Sequence, residues 1–178
     1  MKNKTKLFGI IAFVVIIIFG MAACGSDGDS GSGSGSGSDE MTFDDVLAML
    51  TPGDPPSAHL TNLGIDPTAW AAIKAAAGGT YKGYITDGDM EDDIDVFFTG
   101  ATKANYDALK ALAQAKGMEA KTPEQTDNTL WYIEYVDPAT SPTKGFELTY
   151  SAGGSNPEFF GEMFIPAGVI YISFDYDE

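Results

Sequence analysis

Residues 94–117 read IDVFFTGATKANYDALKALAQAKG, a strand that runs into a helix. Ile94 to Thr99 is dense in Val and Phe, the side chains that suit a pleated surface. Thr102 stands where a helix N-cap belongs. Tyr106, Leu109, Leu112 and Ala113 then recur at helical spacing, and Gly117 sits at the C-terminal cap. Lys103, Lys110 and Lys116 are expected mainly on the wet side of that helix. Downstream, Leu130 to Val136 reads as a strand rich in aromatic and branched residues. Pro138 and Pro142 mark a turn, and Phe146 to Tyr150 alternates with Glu147 and Thr149. The glycine-rich loop 153–157 follows. A last hairpin is expected to pair Glu162–Ile165 with Val169–Tyr176 around Pro166 and Gly168.

Upstream, Tyr81 to Thr86 alternates as a strand, separated from Ile94 by the acidic turn Asp87–Asp93. Asp66-Pro67 opens a helix with Asp at the cap and Pro in the first turn. It runs through Trp70 and Ile73 to Ala77 and stops at Gly78-Gly79. Thr42 caps a shorter helix whose Phe43, Val46, Leu47 and Leu50 share a face. Pro52, Gly53, Pro55 and Pro56 end it in a loop that carries His59, the only histidine, read as a surface residue. The order α, α, β, β, α, β, β, β, β defines an α+β fold. Two layers are expected: a mostly antiparallel sheet of about five to six strands with a β-α-β-β-β core, and short N-terminal helices.

The N-terminus has a different character. Lys2, Lys4 and Lys6 precede an uncharged stretch, Leu7–Ala23, and then Met21-Ala22-Ala23-Cys24. A basic start, an apolar run and small residues before a cut are the parts of a secretory signal. Met21-Ala22-Ala23-Cys24 resembles the lipobox of bacterial lipoproteins, with Met21 where Leu is commoner. The resemblance implies cleavage before Cys24, lipid on that cysteine, and tethering to a bacterial membrane, inner or outer. Cys24 is also the sole cysteine, so no intrachain disulfide can form. Residues 25–38 are Gly, Ser and Asp only, ending in a Gly-Ser alternation. Such a stretch cannot bury apolar surface and serves as a flexible leash spanning roughly 20 Å. Three segments result: 1–23 a lipoprotein signal peptide, 24–40 the lipidated cysteine and linker, and 41–178 a single acidic domain.

Net charge is −16 over the whole chain. Seven of the ten lysines and all twenty-six acids follow Cys24, and there is no arginine, so the chain from Cys24 onward carries −19. This excludes nucleic acid as a partner, because phosphate contacts need many cations. It also argues against docking on anionic headgroups. The bilayer, reached through acylated Cys24, and an envelope protein are the expected partners.

The run Ile94–Thr99, then Asn105-Tyr106, Lys116-Gly117, Trp131-Tyr132 and Gly145-Phe146-Glu147-Leu148-Thr149-Tyr150 resembles an uncharacterised domain of small bacterial lipoproteins. Those also follow a lipobox and a Gly/Ser/Asp-rich leader. The resemblance implies an envelope location and the same strand–helix–meander, and no activity.

Chemistry is sparse. Asp87, Asp89, Glu91 and Asp93 put carboxylates at alternate positions of one turn, as a calcium loop does. The sixth position is Asp92 in place of Gly, however, and the twelfth is Phe98 in place of Glu, which leaves only weak calcium binding as an expectation. No other cofactor is indicated. One histidine without a cysteine partner makes no zinc site. No nucleophile elbow or phosphate loop is present, so no catalytic residue is assigned and the chain is read as a non-enzyme. Strand alternation puts Trp131, Ile133 and Tyr135 on one face and Tyr132 and Glu134 on the other. Tyr132, Tyr150 and Tyr176 form an aromatic platform for a partner if their face is bare; the expectation favoured over it is that the N-terminal helices cover that face.

Overall fold

The computed structural model describes residues 41–86, 93–126, 129–140, 143–155 and 163–177. Helix α1 (Phe43–Met49) starts at a reciprocal cap: Thr42 Oγ1 accepts from the Asp45 amide, and the Asp45 carboxylate accepts from the Thr42 amide at 2.8 Å. Helix α2 (Ser57–Asn62) forms directly after the proline loop. His59 therefore lies in a helix and is half-buried, not on the surface loop the sequence suggested. Helix α3 (Pro67–Ala77) begins where the Asp66 side chain accepts from the Ala69 amide at 2.8 Å. It ends at Gly78 and Gly79, both at positive φ.

Strands β1 (Thr80–Thr86) and β2 (Ile94–Thr99) form an antiparallel pair. Helix α4 (Lys103–Ala115) follows, capped by Thr102 and Asn105 in the same reciprocal way. Asn105 also donates to Ala76 O at 3.1 Å, which fastens the first turn of α4 to the last turn of α3. Two short strands, β3 (Glu119–Ala120) and β4 (Gln125–Thr126), lead into β5 (Leu130–Asp137) and β6 (Thr143–Ser151). Strands β7 (Gly154–Ser155) and β8 (Phe164–Ile165) precede β9 (Val169–Asp177).

The main sheet has seven strands in the order β1-β2-β9-β6-β5-β3, with β4 also on β5, and every pairing is antiparallel. The α+β class and the antiparallel sheet match the sequence reading. The five-to-six-strand β-α-β-β-β arrangement does not, for two reasons. The edge strand is split: β3 pairs with Val136 and Tyr135, and β4 with Tyr132 and Trp131. Between them Pro123 cannot donate to a ladder, so this polar edge carries no strand signature. The expected terminal hairpin is also absent. β8 pairs with β7 in a separate two-stranded sheet, while β9 enters the main sheet between β2 and β6. With both edges of β9 taken, Phe164 and Ile165 have no place beside it.

The two faces differ. Ile94, Val96 and Phe98, then Ile170, Ile172 and Phe174, pack with Leu148, Ile133 and Tyr135 under Trp70, Tyr106 and Leu109 of α3 and α4. On the opposite face, Phe43, Val46 and Leu50 of α1 meet Phe97, Tyr171, Val169 and Ile165. Helices thus lie on both sides of the sheet, where two layers were expected. Lys103 and Lys110 also depart from the expected wet side. Both ammonium groups lie over the ring of buried Tyr106, at 4.7 and 5.4 Å from its centroid, and Lys110 pairs with Glu124 at 2.7 Å. Their stems cover apolar surface while the heads stay paired.

Thr51, just past α1, lies along the free edge of β1 and exchanges backbone hydrogen bonds with Tyr84 at 2.8 and 3.1 Å. Gly83, at φ 137°, sits at a bulge under this contact, and a Cβ there would lie 2.4 Å from Thr51 O. Gly117 is also left-handed, at φ 81°, but a Cβ there meets nothing within 4 Å. Gly117→Ala should therefore cost only the conformational penalty of about 1–2 kcal/mol. Gly83→Ala should cost clearly more, because the backbone of Thr51 must also move. Urea unfolding of the two variants checks the order, and equal losses would contradict it.

Candidate functional site: a carboxylate row across the sheet

Strand alternation turns Asp95, Tyr171, Ser173, Glu147, Thr149, Tyr132 and Glu134 to the face opposite α3 and α4. Register aligns four of them in one line. Asp95 lies opposite Ser173, Ser173 opposite Glu147, and Glu147 opposite Glu134. Neighbouring strands are about 4.8 Å apart, so Glu147 and Glu134 are adjacent and Asp95 is roughly 10 Å from Glu147, across Ser173. The next line holds Phe97, Tyr171, Thr149 and Tyr132. Asp95, Glu134, Thr149, Tyr132 and Tyr171 are all buried.

Like charges directly opposite on a sheet repel, and buried carboxylates are costly unless paired or neutral. Each carboxyl meets this differently. Glu134 is paired with Lys121, Nζ to Oε1 2.8 Å, and its backbone carbonyl accepts from the Lys121 amide at 2.9 Å. Asp95 accepts from the Tyr171 hydroxyl at 2.9 Å. Burial nevertheless pushes its carboxyl up to about 6, against the lowering effect of hydrogen bonds from Ser173 and Tyr171. Burial likewise pushes Glu147 up to about 7; the Tyr132 hydroxyl bonded to it works the other way, and Asp175, Glu134 and Asp95 add repulsion. Tyr132 and Tyr171 are themselves driven far above the ordinary phenol range by burial, so they remain donors. Two carboxyls whose charge changes near neutral pH, each held by a phenol, form a group that can take up and release protons. Shifted acids of this kind concentrate at functional sites.

Sequence reading passed over this row. It places Asp95 inside the strand Ile94–Thr99 and Glu147 in the alternation of Phe146 to Tyr150, and gives neither a role. A signal was present in Asp95 itself, because it shares a face with Phe97, and a buried Phe97 implies cover on that face.

The residues singled out from sequence fall elsewhere. Asp87, Asp89 and Glu91 lie outside the described residues, and Asp93 is half-buried immediately before β2. Among the described residues, no group of three or more His, Cys, Asp or Glu could hold a metal ion. The tyrosine platform is corrected by two observations. Tyr132 and Tyr150 are both buried, at 9% and 8% exposure. They also point to opposite faces, because Tyr132 is opposite Thr149 and Tyr150 opposite Trp131. Tyr150 packs against Tyr106 of α4 and Trp131. Tyr176 pairs with Lys144 through its backbone, and its side chain lies outside those described. Cys24 also lies outside the described residues. Among the described residues, no helix is long and apolar enough to cross a membrane. No protein-family model matches the chain, and no curated protein or solved structure matches it.

The carboxyl row gives stability a particular pH dependence. A carboxyl whose folded pKa is raised binds its proton more tightly in the folded state, so folding weakens as pH rises through that value. Asp95 and Glu147 set the window from about 4.5 to 7.5. Asp54, lowered by its pairing with Lys74, acts in the opposite sense but only below that window. The melting temperature should rise by several degrees from pH 8 to pH 5. In Glu147→Gln the rise should shrink, and the variant should be the more stable protein at pH 8. A melting temperature that falls on acidification from pH 8 to 5 would contradict this assignment.

Proposed function

We propose that the chain is an exported bacterial lipoprotein, cut before Cys24 and held to a membrane by lipid on that residue, with 41–178 as a small acidic binding module. The observation that carries the anchor is the sequence Met21-Ala22-Ala23-Cys24, with the only cysteine of the chain placed directly after a basic start and the apolar Leu7–Ala23 stretch. A single acyl chain holds a protein only marginally, and stable anchoring takes a second one. Lipobox lipoproteins carry a diacylglycerol and usually an additional chain, which meets that need. The Gly/Ser leash then lets the domain stand off the surface by roughly 20 Å. Binding is the reading favoured over catalysis because the sequence carries no nucleophile elbow and no phosphate loop.

Intact-mass and peptide mass spectrometry of the full chain expressed in bacteria tests the anchor. A mature N-terminus at Cys24 carrying diacylglyceryl mass is expected, and Cys24→Ser should leave the precursor uncut and without lipid. A wild-type chain that retains Met1–Ala23, or lipid that persists in Cys24→Ser, would overturn the reading.

A further inference from the structure

Helix α1 has seven residues, too few to hold a helix in water without packing. It docks through Phe43, Val46 and Leu50, which meet Phe97, Tyr171, Val169 and Ile165. Phe43 lies against Phe97 with ring centroids 6.4 Å apart. The floor beneath does not depend on the helix. Phe97 and Tyr171 pack on each other at 5.0 Å, and their strands are joined by the ladder of Ile94–Phe98 with Ile170–Phe174. Lifting α1 therefore uncovers apolar surface and costs the Thr51–Tyr84 pair, while the ladders of β1, β2 and β9 stay.

The flanks of α1 set how far such an opening runs. Before it lies the Gly, Ser and Asp stretch 25–38, whose composition offers nothing to bury. Behind it, Pro52 separates Thr51 from a loop that is fastened elsewhere. The Tyr81 hydroxyl donates to Gly53 O at 3.2 Å, and Lys74 pairs with Asp54 at 2.8 Å. An opening that starts at α1 thus stops at Thr51–Gly53 and leaves α2 and α3 in place. Helix α4 is the contrast: it buries Tyr106, Leu109 and Ala113, and Asn105 ties it to α3. Openings begin at the units with the fewest buried contacts. We propose that α1 is a releasable strap, which lifts off Phe97 and Tyr171 and pivots between Thr51 and Gly53 while the rest of the domain stays folded. Release joins α1 to the leash and lengthens its typical span from roughly 20 Å to roughly 30 Å, so the domain has two reaches from a membrane. The longer reach rests on the anchor proposed at Cys24; the lifting of α1 does not.

The test is amide hydrogen exchange of the full chain in phospholipid nanodiscs, read by mass spectrometry on the peptides that carry α1 and α4. The α1 amides are expected to exchange at least about a hundred-fold faster than those of α4, through an opening that leaves α4 protected. Two conservative variants separate this opening from global unfolding. Ile172→Val weakens the helix-side core, which a lifted strap leaves intact. It should speed α4 exchange about three-fold or more and leave α1 exchange unchanged. Val46→Ala weakens the strap's own packing and should speed α1 exchange about five-fold or more. Three results would overturn the proposal: α1 and α4 exchanging at one rate, Ile172→Val speeding both alike, or Val46→Ala leaving α1 unchanged, as it would if the helix were never docked. The same digests report the lipopeptide at Cys24, so a failed anchor and a strap that stays closed are told apart.

Discussion

The pairing of β9 between β2 and β6 is the constraint on which the other features rest. All nine residues of Val169–Asp177 pair with β6, and Ile170–Phe174 pair with β2 as well; their alternation sends Ile170, Ile172 and Phe174 to the helix side and Tyr171 and Ser173 to the other. Without β9, the pair β1-β2 and the meander of β5 and β6 share no backbone hydrogen bonds, and neither has a complete apolar face. Strand β9 is therefore the keystone that joins β1-β2 to the later strands, a non-local pairing of the kind that slows folding.

The same register produces the sheet's two characters. On one side, β-branched and aromatic residues close against α3 and α4, and Asn105 fastens the two helices to each other. On the other, α1 covers only the aromatic end at Phe97 and Tyr171. The adjoining line brings together Glu134 and Glu147, on the successive strands β5 and β6, and Asp95 on the distant β2. Among the described residues, a single lysine, Lys121, answers one of the three carboxyls. The other two are left to phenol donors and to partial protonation, which is how a buried acid without a cation lowers its cost. The row is thus a product of tertiary pairing, and its chemistry follows first from burial.

Legibility in the sequence followed the range of the interactions. Thr42, Asp66-Pro67 and Thr102 announce α1, α3 and α4 because a cap is a contact within three residues. Helix α2 escaped notice because its N-cap is Pro56, with no side-chain cap hydrogen bond, and it emerges from a proline loop. The main strands were readable from alternation, whereas their partners were not, since period two says which face a residue takes and never which strand lies alongside. Of the candidate site, Tyr132 and Glu134 were placed on the right face, but the line joining Asp95 to Glu147 exists only in the register. Cys24 stands apart, because its reading rests on a local motif that needs no fold.

The domain joins two features on one face of the sheet, the short helix α1 and the titrating carboxyl row beside it. A site-resolved titration of the side-chain carboxyl carbons by carbon-13 NMR tests the central claim about the row most directly. The account predicts midpoints near 7 for Glu147 and near 6 for Asp95. Midpoints below about 4.5 for both, in the range of ordinary exposed carboxylates, would contradict it.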